Sequence, residues 1–135
     1  MYFSPEYAAG GPDLLRTRAA TSGRIRLRAL RSYTAGASFA DVAAATIGIV
    51  SVTPGDITDT PNPVTGVTLR TTMGAKSIPL SADDTGTTLR WAITDETSSL
   101  VLLAGAASVP PENLPLRSGG SLVLAASEIS RHIPA

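Results

Sequence analysis

Cysteine is absent from this chain. Disulfides, thiolate metal sites and cysteine nucleophiles are therefore excluded together. Aromatic residues are scarce, at 4% of 135 residues, so the core has to be assembled from Val, Leu, Ile and Ala. Charged side chains make up 16%, against about 25% in an ordinary globular domain. Thr, Ser, Ala and Gly fill that gap and give a neutral, small-featured surface. The longest apolar stretch, Leu100 to Ala107, is far short of the ~20 residues of a spanning helix, so no membrane role is expected. Met1 to Arg18 lacks a basic region followed by a long apolar run, so no secretory signal is expected either.

Catalytic patterns are equally thin. The one histidine, His132, stands beside Arg131 near the C-terminus, a poor place for a base held between nucleophile and carboxylate. No G-x-S-x-G elbow and no phosphate-cradling glycine motif occurs. The acidic pairs Asp83-Asp84 and Asp95-Glu96 fall in turn sequences, where carboxylates commonly bond local amides. Asp56, Asp59, Thr60 and Asn62 form an oxygen-rich loop, but their spacing is not that of an EF-hand. We therefore expect a chain that is not an enzyme and uses no cofactor or metal.

What is present is arginine and β pattern. Ten Arg accompany one Lys, and the formal net charge is zero. The distribution is uneven, since Arg16, Arg18, Arg24, Arg26, Arg28 and Arg31 crowd into one short segment. Residues 1–31 are net basic and the remainder net acidic. Residues 24–33 alternate, with Ile25, Leu27 and Ala29 on one face and Arg24, Arg26, Arg28 and Leu30 on the other. Period two marks a strand with one buried face. Guanidinium groups two residues apart on a strand stand about 6–7 Å apart, a spacing suited to carboxylates or phosphates. With no net charge and no interleaved aromatics, a protein partner fits better than nucleic acid.

Residues 1–22, broken by Pro5, Gly10, Gly11 and Pro12, are expected to form an extended N-terminal arm with at most a helical turn at 12–18. Tyr2, Phe3 and Tyr7 give that arm anchors, either for a partner or for its own domain. Ser38 caps a candidate short helix at 39–47. Strands are expected at 47–53, 64–73, 76–80, 88–94, 99–106 and 121–129. The turn-rich stretch 54–63 is expected to be an exposed loop, and Pro79 marks an edge strand. The DETS turn between two apolar runs is the clearest hairpin signal, and Trp91 on its first strand is a core residue or an interface anchor. The expected fold is mainly all-β: an arm at 1–22 and a small β-sandwich or barrel-like domain at 23–135, with room for one short helix.

The segments TLRWAITDETSSLVLLAGAAS and GGSLVLAASEI, preceded by SIPLSADDTGT, resemble small β-rich virion structural proteins of tailed bacteriophages. The resemblance covers about four-fifths of the chain and leaves the arm outside. It implies a location in the virion, assembled in the host cytoplasm, and many copies or a homo-oligomer. The partner would be the major capsid protein or another virion protein, and the role capsid decoration or cementing. A tail or head–tail connector component, a fibre-attachment module and a carbohydrate-binding domain are the alternatives. The residues expected to bind the partner are Tyr2, Phe3, Tyr7, Arg16, Arg18, Arg24, Arg26 and Arg28.

Overall fold

The computed structural model describes residues 2–61, 69–107, 109, 113–124 and 127–128. It is mainly β, as expected, and carries two helices. A five-stranded antiparallel sheet has the order β1 (Tyr2–Phe3), β8 (Leu100–Ala106), β7 (Arg90–Asp95), β2 (Ile25–Leu30), β3 (Thr46–Ser51). A second sheet runs β10 (Ser127–Glu128), β5 (Leu69–Met73), β4 (Ile57–Pro61), and a third pairs β6 (Lys76–Pro79) with β9 (Ser121–Leu124). Ile25 and Leu27 from the first sheet, Ile57 and Met73 from the second, and Ile78, Leu122 and Leu124 from the third share one buried cluster.

The expected extended arm is corrected. After the two residues of β1, the chain forms helix α1 over Pro5–Ala19. The residues that read as interruptions have helical uses. Ser4 is the N-cap, its hydroxyl accepting from the Tyr7 amide at 3.1 Å, and Pro5 occupies the first turn, where no N–H is needed. Gly11, at φ +66°, breaks the helix into two runs, and Pro12 begins the second, again at a position that tolerates it. Tyr7, Leu15 and Ala19 are buried, so α1 closes the body's core.

Helix α2 (Phe39–Ala45) follows the Ser38 cap read from sequence, with the Asp41 amide donating to Ser38 Oγ at 3.2 Å. Val42 packs with Leu30, Ala92, Val101 and Ala104 on the other face of the sheet. The stretch expected to be an exposed loop is also corrected. After one 3-10 turn at Pro54–Asp56, β4 pairs residue by residue with β5. Ile57, Thr58 and Thr60 are β-formers, and Pro61 is tolerated because it is the last residue of a strand at a sheet edge.

The hairpin at 90–106 is as read, with its turn at Glu96–Ser99. Trp91 is 6% exposed and lies against Gly105 across the strand pair. A Cβ at Gly105 would stand 2.8 Å from the indole ring. Gly105→Ala is therefore expected to cost about 1–3 kcal/mol by overpacking, read as a lowered urea midpoint and an altered Trp91 emission. An unchanged midpoint would refute this account of the glycine.

Candidate interaction surface

The eight residues expected to bind a partner fall in or next to the first three elements, β1, α1 and β2, and most are engaged within the chain. Arg18 reaches from the end of α1 to Asp95 at the end of β7, with Nη1 donating to Oδ2 at 2.8 Å and Nη2 to Glu6 Oε2 at 3.2 Å. Arg24, just before β2, donates through Nε to both oxygens of Asp95 at 3.1 and 3.2 Å. The amides of Thr97 and Ser98 also donate to Asp95 Oδ1, at 3.0 and 3.1 Å. Asp95 is fully buried. Burial alone would raise its pKa, but the bonds from Arg24 and the Ser98 amide, with the charges of Arg24 and Arg18, hold it below the ordinary 3.8.

Arg28, further along β2, has a second set of partners. Its Nε donates to Thr94 Oγ1 (3.2 Å), Nη1 to Thr46 Oγ1 (3.0 Å) and Nη2 to Glu96 Oε1 (2.8 Å). Its guanidinium lies 5.4 Å from the centroid of the Phe39 ring, a cation–π distance. Arg16 pairs with Asp13 at 2.6 Å, and Arg26 donates to the Gly23 carbonyl at 3.0 Å. The row of guanidinium groups is thus split between internal partners, Arg18 and Arg24 on Asp95 and Arg28 on Glu96. Asp95 was missed as the shared partner of Arg18 and Arg24; its only sequence signal is the first place in the DETS turn.

The aromatics divide. Tyr7 is fully buried, and burial pushes its phenol up to about 12 against the opposing charge of Arg16. Tyr2 is half-buried, 6.3 Å from the Tyr33 ring. Phe3 stacks on Tyr7 at 5.6 Å yet remains 37% exposed. On the Tyr2 side of β1, a cleft of about 450 Å³ is lined by Tyr2, Pro5, Phe39, Leu100 and Val101, with Ser4, Ser38, Ser99 and Glu6 at its polar points.

Among the described residues, no three His, Cys, Asp or Glu side chains could together hold a metal ion. Asp56 closes a capping box with Thr53 and pairs with Lys76 at 2.8 Å. Those bonds outweigh its burial and lower its pKa. Asn62 and the side chains of Asp59 and Thr60 lie outside the described residues, as does His132. Asp84 accepts from the Gly86 amide and Asp83 from the Ser118 amide. No helix among the described residues is long and apolar enough to cross a membrane. No known family model, curated protein or solved structure matches the chain.

The large apolar side chains left exposed among the described residues are Phe3 and Val123, the latter 64% exposed on β9. Sequence patterning singled out Phe3 but not Val123. The signal for Val123 was the alternation of SLVL after two glycines.

Proposed function

We propose that this chain is a non-enzymatic virion structural protein that decorates and stabilises the shell of a tailed phage. Its three sheets are read as a small β-sandwich, since all three contribute to one core. The observation that carries the reading is the placing of exposed apolar groups: Phe3 at the β1 end and Val123 at the β9 end. A domain with an apolar side chain presented at two separate sheet ends suits one copy among neighbours. The resemblance of the hairpin and of GGSLVL to virion proteins supplies the class of assembly. The shell would be met at the β1 end, where Phe3 stands on one side and the cleft on the other.

The test is cosedimentation with undecorated shells and, separately, with isolated tails. Binding to shells that survives high salt is expected, because Arg16, Arg18, Arg24 and Arg28 are paired internally and the contact is apolar. Phe3→Asp should reduce shell binding about tenfold or more, the loss of one well-buried anchor. Binding to tails alone would favour a connector component, and binding to neither would overturn the virion reading.

A further inference from the structure

The five-stranded sheet does not stop at β3. Gly48 bridges to Leu80, and the Ser81 amide donates to the Ile47 carbonyl at 2.8 Å. The strands thus follow one another as β1-β8-β7-β2-β3-β6-β9. β9 ends this arc, and among the described residues no strand pairs with its outer edge.

The hydrogen-bonding phase of that edge is fixed. The Leu80 amide donates to the Gly120 carbonyl at 2.9 Å. Bonded and non-bonded pairs alternate along an antiparallel ladder. Ile78–Leu122 and Lys76–Leu124 are then bonded pairs, while Ser77–Val123 and Pro79–Ser121 are not. Pro79, with no N–H to give, fits a non-bonded position. Its carbonyl faces β3 instead, 2.7 Å from where a Gly48 Cβ would stand. The N–H and C=O of Val123 therefore point outward, away from β6.

Among the described residues nothing guards this edge. Natural edges are blunted by charge, proline or a bulge. The exposed positions of the β6–β9 ribbon are Ser77, Pro79, Ser121 and Val123, none of them charged, and β9 itself has no proline. Lys76, the one charge on the ribbon, is half-buried and drawn to Asp56. The strand is also symmetric about its exposed residue, Leu122-Val123-Leu124, buried-exposed-buried.

We propose that β9 is a self-pairing edge, and that two copies of this chain join through it antiparallel about a two-fold axis at Val123. That axis sets Val123 against its own counterpart in a bonded pair and Leu122 against Leu124, with inner and outer faces preserved in both copies. The contact is isologous. Four residues bury far less than the ~800 Å² per partner of a stable dimer, so the pairing is weak in dilute solution and grows where copies are crowded. The proposal does not depend on the virion reading, and its test uses the isolated protein.

In a cysteine-free chain, one introduced thiol reports on one contact. Facing residues of a bonded pair have Cα atoms about 5.5 Å apart, within the ~4.4–6.8 Å span of a disulfide. Ser77 and its counterpart would stand about 14 Å apart, three strand spacings. Val123→Cys is expected to form disulfide dimers under mild oxidation about tenfold faster than Ser77→Cys, through the higher effective concentration of the aligned thiols. In sedimentation at rising concentration, the unaltered chain should self-associate. Val123→Lys, which sets like charges opposite each other, should remain monomeric with an unchanged circular dichroism spectrum. Equal crosslinking of the two cysteine variants, or identical sedimentation of the unaltered chain and Val123→Lys, would overturn the proposal.

Discussion

Asp95→Asn is expected to cost the fold about 3 kcal/mol, the scale of breaking a buried ion pair by removing one partner. The substitution keeps an oxygen for the amides of Thr97 and Ser98 but removes the charge that Arg18 and Arg24 share. Those arginines come from the end of α1 and the residue before β2, so the loss loosens the helix from the sheet as well as the turn. Both keep about a fifth to a quarter of their side-chain surface in solvent, which is why the figure stays at the lower end of the range. Urea unfolding reads the loss directly, and a change below about 0.5 kcal/mol, the size of a neutral surface substitution, would refute the assigned role.

The same carboxylate sets an acid limit. The groups around it are Arg18 on α1, Arg24 before β2 and, through Arg18, Glu6. A carboxyl held below its ordinary value contributes stability that is fully present above 3.8 and is lost as pH falls through its lower folded value. Asp56 acts in the same direction through Lys76. Stability is therefore expected to fall steeply as pH drops below about 4. Asp95→Asn should flatten that fall, since the variant has already lost the contribution the acid removes. An identical slope in the variant would mean that Asp95 does not carry the acid sensitivity.

The strands were legible because their patterns are local. Ile25, Leu27 and Ala29 alternate with arginines, and the DETS turn sits between two apolar runs, so β2 and the β7–β8 hairpin could be read at a glance. Trp91 was legible as a core residue, but its need for Gly105 was not, because the two meet only through strand register. Helix α1 was hidden by Pro5, Gly11 and Pro12, which look like breakers until their positions in the first turn and at the break are known. β4 was hidden by the prolines of the surrounding sequence, and the one inside it, Pro61, is tolerated at a terminal edge position. The arginine side of the candidate site was visible as composition only. Which acid each guanidinium meets depends on contacts as distant as 77 residues, and no spacing rule carries that information.

Deleting residues 2–20 is expected to unfold the whole body. An extended arm could be removed without harm, but this segment is a wall of the core. Tyr7 and Leu15 are 0% exposed and Ala19 4%. Leaving the surfaces they cover in water costs about 5 kcal/mol at ordinary burial values. The deletion also removes Arg18 from Asp95 and β1 from the edge of β8, where the Ser4 amide bonds the Leu102 carbonyl at 2.9 Å. Total stability of a small domain is about 5–15 kcal/mol, so these losses together consume most or all of it. The truncated chain should lose its dispersed amide proton spectrum and its cooperative unfolding transition, and the point variant Tyr7→Ala should be destabilised by about 3–5 kcal/mol. A truncated chain that stayed folded would show that α1 rests on a core complete without it. The N-terminal segment would then regain the part of a detachable arm, and shell binding by the truncated chain would become the measurement that locates the contact.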